Sequence, residues 1–111
     1  MPEPAWPPEE IDDILRRLLT AGQELGTAAE AIEHIGDRNG YGPWHVKVDA
    51  WRHYVATALQ VSFTTPDTQR EFEHIYAGPT GTTLAHRFNQ DRQRLDDALD
   101  LLARVRDGVV Y

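Results

Sequence analysis

From Glu9 onward, apolar side chains return at intervals of three and four residues, and no sustained run alternates with period two. Ile11, Ile14, Leu15, Leu18, Leu19, Leu25, Ala28, Ala29, Ile32 and Ile35 form the first such stripe, the pattern of one buried helix face. Glu9, Glu10, Asp12 and Asp13 crowd its first turn, where negative charge meets the positive end of the helix dipole. Gly22 and Gly26 interrupt it, each at a cost of about 1 kcal/mol relative to alanine. The expectation is one long helix, bent there or closely crossed by a neighbour.

The same period predicts three more helices. Gly36 to Gly42 is a loop by composition, and Pro43 suits the first turn of helix two. Its inward face reads Trp44, Val48, Trp51, Val55, Ala58, Leu59 and Ser62. Thr64 or Thr65 is expected to cap a short third helix with Phe72, Ile75 and Tyr76 on its apolar side. Ala77 to Gly81 ends that helix. A fourth runs from about Thr82 to Asp107 through Leu84, Phe88, Leu95, Ala98, Leu99, Leu102 and Val105, with Gly108 as its stop. The prolines at 2, 4, 7 and 8 make residues 1–8 an irregular arm, whose Trp6 docks on the bundle. Val61 to Thr65 is the one β-prone run, and it is short. The fold class is therefore all-α: a four-helix bundle of three longer helices and one short, with a proline-rich N-terminal arm. Residues 9–108 are read as a single helical domain, followed by the apolar tail 109–111.

Size and charge restrict function. In a chain of 111 residues folding hides roughly two-thirds of the open-chain surface, enough for one core but not for a large cofactor pocket besides. No cofactor is expected. With no cysteine, thiolate metal sites, disulfides and a cysteine nucleophile are excluded. The formal charge of −7 is opposite to the basic footprint of a duplex-binding protein, so nucleic acid is not an expected partner. No apolar run approaches the roughly 20 residues that cross a bilayer. The first eight residues lack a signal peptide's basic start and apolar stretch, making the cytoplasm the expected location.

Helix two supplies the most suggestive surface. At 100° per residue Trp51 and Tyr54 differ by about 60°, so Trp44, Trp51 and Tyr54 do not fit one narrow stripe. Tyr41, Trp44, Trp51, Arg52 and Tyr54 are the expected partner-binding residues, because interface hot spots favour Trp, Tyr and Arg. The expected function is non-catalytic: a protein–protein interaction module of adaptor, inhibitor or immunity (antitoxin) type, with a homodimer as the first user of the patch.

Catalytic and metal readings are less well supplied. His45, Asp49 and His53 lie four residues apart, but His45 and His53 stand about 12 Å apart along a helix, too far for one ion. His34, His74 and His86 lie on other segments, so no metal site is expected. Arg38-Asn39 and His45 resemble the Arg-polar-x-His signature of HEPN ribonucleases, but Gly40, Gly42 and Pro43 break the helix that would hold both at one phosphate. A small ribonuclease or ligand-binding protein using Arg38, His45 and Asp49 is the alternative. Asp96, Asp97 and Asp100 read as a solvated face. Asn89 to Arg94 is discordant, placing Asp91 or Arg92 where the inward face of helix four should continue. A buried charge there requires a partner; a salt bridge to Arg52 or Asp49 on helix two would serve, and the alternatives are exposure near the bundle end and a polar pocket or partner groove.

Trp44, Lys47, Trp51-Arg52, Leu59, Phe63, then Phe72 with Ile75, preceded by Leu18-Leu19-Thr20-Ala21-Gly22, give a further comparison. The order resembles the helical accessory segment of some bacterial abortive-infection and TIR-like nucleotide-binding proteins, over roughly residues 14–103. Thr64 stands where that pattern has glycine. The resemblance implies an accessory or interaction role near phage defence.

Overall fold

The computed structural model describes residues 4–35 and 38–110, without the side chains of Ile35, Arg38 and Val110. Residues 1–3 of the arm, Gly36 and Asp37 of the first loop, and Tyr111 of the tail lie outside the described residues. Four helices follow in order: α1 (Pro8–Ile35), α2 (Tyr41–Ser62), α3 (Asp67–Ile75) and α4 (Leu84–Val110), with a 3-10 turn at Arg38–Gly40. The protein is an all-α four-helix bundle, with no strand among the described residues. None of these helices is long and apolar enough to cross a membrane.

The core is built by the stripes the spacing predicts, except on α4. There Leu84, expected inward, is 43% exposed before the helix reaches its packed length, and Leu101, outside the expected stripe, is buried. Ile11, Leu15, Leu19 and Ala29 of α1 meet Trp44, Val48, Trp51, Val55 and Leu59 of α2. Phe72 of α3 and Leu95, Ala98, Leu101, Leu102 and Val105 of α4 close it. α1 is one unbroken helix, and its most extensive packing is against α4. The reason for Gly22 is a close crossing: a Cβ there would lie 2.5 Å from Leu99 Cδ2 and 2.7 Å from Trp51 Cζ2. Gly26 has open space where its Cβ would stand.

Two indoles set the register of α1 against α2. Trp44 Nε1 donates to the Leu25 carbonyl at 2.8 Å, and Trp51 Nε1 donates to the Leu18 carbonyl at 2.9 Å. Donors and acceptors are both spaced by two helical turns, in opposite chain directions. Gly22 sits between the two bonds, where the helices must approach.

Element ends depart from expectation in three places. α2 starts at Tyr41, two residues before Pro43; the proline still lies in the first turn, where an amide has no intrahelical partner to lose. Neither Thr64 nor Thr65 caps α3: Pro66 holds the cap position without a side-chain bond, and the Thr65 hydroxyl turns to Asp67 Oδ2 at 3.3 Å. Gly108 does not stop α4, which continues to Val110. Val109 packs against the core, and that burial offsets a glycine cost of about 1 kcal/mol.

The arm docks as expected. Pro4 bridges Phe63, Ala5 N donates to the Ser62 carbonyl at 2.8 Å, and Trp6 Nε1 donates to the Val61 carbonyl at 2.7 Å. The short β-prone run is thus used only at Phe63, as a single isolated bridge.

Candidate functional site

Asp91 resolves the discordant stretch of helix four. It is largely buried, and its Oδ2 accepts from the Tyr41 hydroxyl at 2.6 Å and lies 2.9 Å from His45 Nδ1. Both partners come from the first turns of α2, rather than Arg52 or Asp49. Tyr41 is wedged between Trp44 and Phe88, with ring centroids 6.2 and 5.7 Å away. Burial, then the Asp91 hydrogen bond, push its phenol above the ordinary range, so it remains a neutral donor. Arg92 turns the other way, toward Glu33 of α1, with its guanidinium 6.0 Å from the Phe88 ring centroid.

Gln90 and Arg94 of that stretch, with Arg87 one turn earlier, hold the loop between α3 and α4. Gln90 accepts from Gly81 N at 2.8 Å and donates to the Pro79 carbonyl at 3.3 Å. Arg94 also reaches the Pro79 carbonyl, at 3.4 Å, and Arg87 Nε donates to the Gly81 carbonyl at 2.7 Å. The loop turns back at Gly78, whose φ of +113° is a conformation L side chains rarely adopt.

Held in this way, the loop contributes Thr80 to a cavity of about 320 Å³ between α2 and α4. Arg52, Arg87 and Arg94 line it, opposed by Asp49 and Asp91, with Tyr41 and Tyr76 among its walls. The Arg52 guanidinium lies 4.5 Å over the Tyr76 ring, an attractive cation–π arrangement. The Tyr76 hydroxyl is buried without a hydrogen-bond partner. Burial pushes that phenol above its usual range, against the opposing effect of Arg52.

The expected partner-binding residues divide between three environments. Trp44 and Trp51 are core residues, 3% and 5% exposed, so they fix helix register and offer no surface to a partner. Tyr41 and Arg52 are half-buried at the cavity. Tyr54 is 73% exposed on the outer face of α2. Val46 and Val61 share that face at 67% and 52%, with Ala50 and Thr57 also exposed between them. At 100° per residue these five positions fall within an arc of about 80°, and none carries a charge. Trp6, half exposed, extends the apolar surface beside Val61.

No known protein family, curated protein or solved structure matches this chain.

Among the described residues, no three His, Asp or Glu side chains converge as metal ligands. His45 is directed to Asp91, and His53 lies 3.4 Å from Asp49 one turn away on α2. Asp96, Asp97 and Asp100 are exposed, with Asp97 accepting from Gln93 at 3.0 Å. The Arg38 side chain, needed for the ribonuclease reading, lies outside the described residues. Sequence reasoning missed Arg87 and Arg94 as cavity residues and took Tyr76 only as core. The available signal was the discordant stretch itself, which marks where α4 faces something other than a greasy neighbour.

Proposed function

We propose that this protein is a non-catalytic interaction module, an adaptor or inhibitor that binds protein through the outer face of α2. Its first partner is a second copy of itself. The observation that carries this reading is the uncharged stripe Val46, Ala50, Tyr54, Thr57 and Val61, exposed from the second turn to the end of a helix whose opposite face is core. A solvated outer face normally carries charge, and contiguous exposed apolar surface marks an interaction site.

The stripe is symmetric about its own middle. Val46 and Val61 are equidistant from the point between His53 and Tyr54, and so are Ala50 and Thr57. Two antiparallel α2 helices related by a two-fold axis would set Val46 against the partner's Val61 and Ala50 against the partner's Thr57. The two small residues permit close approach, and the Tyr54 rings flank the axis. A self-complementary patch is the requirement of a two-fold interface.

Sedimentation velocity over a concentration series tests this. The native chain is expected to dimerise, and Tyr54→Glu, which places two carboxylates at the axis, to yield a monomer of unchanged helicity. Because each chain carries −7, added salt should strengthen association by screening the long-range repulsion. A native chain that stays monomeric throughout, or a Tyr54→Glu variant that dimerises equally well, overturns the reading.

A further inference from the structure

Within a chain of net charge −7, three arginines line one concavity without an ion pair among the described residues. Every salt bridge among the described residues uses other basic groups: Arg16, Arg17, His45, His53, Arg92, Arg104 and Arg106. Arg52 rests its face on Tyr76 and donates no hydrogen bond among the described residues. Arg87 uses only Nε, toward Gly81, so both of its terminal nitrogens are without a partner among the described residues. Arg94 makes one long bond to a loop carbonyl. A guanidinium carries five N–H donors in a planar fork, so most of the donor capacity of these three groups is unused.

The carboxylates on the same walls form no ion pair with these three arginines among the described residues, and each keeps one oxygen open. Asp91 already engages Tyr41 and His45 through one oxygen, and Asp49 faces His53. Acidic groups outnumber basic ones by 18 to 11 in this chain, so counter-charges are plentiful. Three guanidinium groups that form no ion pair among the described residues, and outnumber the two carboxylates on the same walls, mark a place kept for an anion from outside. Their attachment to three separate places, α2 and two turns of α4, suits a group with three oxygens pointing apart rather than a planar carboxylate.

We propose that this cavity binds a small phosphate monoester, with the phosphoryl oxygens held by Arg52, Arg87 and Arg94. Inorganic phosphate would fill only part of about 320 Å³. That volume falls at the lower end of small-molecule sites, which run from roughly 300 to 1,000 Å³. Asp49 and Asp91 can only accept hydrogen bonds when ionised, so the remainder of the ligand carries hydroxyl or amine donors. A phosphorylated sugar or polyol has this composition. The site lies on the flank of α2 away from the Val46–Val61 stripe, and ligand binding is independent of self-association.

Amide-resolved NMR titration of the full chain with ribose 5-phosphate, ribose and inorganic phosphate tests the assignment. Ribose 5-phosphate is expected to give saturable shifts around residues 76–94 and residue 52, inorganic phosphate to bind more weakly at the same place, and ribose alone to give no response. Arg52→Gln, which removes no hydrogen bond from the protein, should lower the affinity for ribose 5-phosphate about tenfold or more while leaving the unfolding midpoint in place. Arg94→Gln should weaken binding similarly; its midpoint serves as the control for loss of the Pro79 contact. Absence of saturable shifts with ribose 5-phosphate, equal shifts with ribose, or undiminished affinity in Arg52→Gln would each overturn the proposal.

Discussion

Replacing Gly22 and Gly26 separately by alanine isolates the packing cost of the α1 crossing. Both glycines lie inside the same helix, and either replacement should gain about 1 kcal/mol from helix propensity. At Gly26 the new methyl meets open space, so the whole gain should appear as added stability. At Gly22 it enters the space of Leu99 Cδ2 and of the Trp51 indole, at 2.5 and 2.7 Å. The Leu99 methyl can swing aside, but the indole is held by its bond to the Leu18 carbonyl. Overpacking of this kind costs about 1–3 kcal/mol. Gly22→Ala is therefore expected to range from neutral to about 2 kcal/mol destabilising, after the propensity gain is subtracted. The difference between the variants equals the overpacking cost itself, because the propensity contribution is common to both. Urea unfolding followed by tryptophan fluorescence and by far-ultraviolet circular dichroism measures it. In thermal scans the pair should separate by about 4 °C or more for a domain of this size. Equal stabilisation by both substitutions would show that the helices do not meet closely at Gly22.

Trp51→Phe should cost about 1–3 kcal/mol, through loss of the Leu18 bond and the void left by the smaller ring, and urea unfolding reads it directly. Tyr76→Phe removes a buried hydroxyl that has no partner, so its unfolding midpoint should equal or exceed that of the native chain. Burial raises the phenols of Tyr41 and Tyr76, with Asp91 reinforcing the effect at Tyr41, so the fold favours their neutral forms. Their contribution to stability is complete below the unfolded value of about 10 and is lost as pH rises through the higher folded values. A urea midpoint that declines above about pH 10, and a shallower decline in the Tyr41→Phe, Tyr76→Phe double variant, would bear this out.

Helix content was legible because burial of one face imposes a period on the chain, and Ile11, Leu15, Val48, Val55, Leu95 and Leu102 keep it. Helix ends were less legible. Whether Gly108 stops α4 depends on whether Val109 finds the core, a tertiary fact that local composition does not contain. The aromatic residues of α2 illustrate the same limit. Hydrophobicity and angle place Trp44 and Trp51 inward or at a margin, but only the neighbouring helix supplies the carbonyls that make them register pins. Asp91 was recognisable as an anomaly from its position between Phe88 and Leu95. Its partners were not, because Tyr41 and His45 reach it across 50 and 46 residues of chain. The cavity was marked by the same stretch, but its outline was not legible, because the adjoining loop's course depends on Gln90, Arg87 and Arg94 gripping carbonyls.

The bonds from residues 5 and 6 to the Ser62 and Val61 carbonyls have a kinetic consequence. The final carbonyls of any α-helix lack donors in the helix itself. Here two of those of α2 are satisfied from a segment more than fifty positions away. Such closure carries an entropic cost before its contacts form. The last turn of α2 should therefore consolidate late, and its amides should exchange with solvent ahead of those around Val48 and Trp51. Shortening the chain to begin at Pro7 would leave that turn frayed while the interior stayed intact.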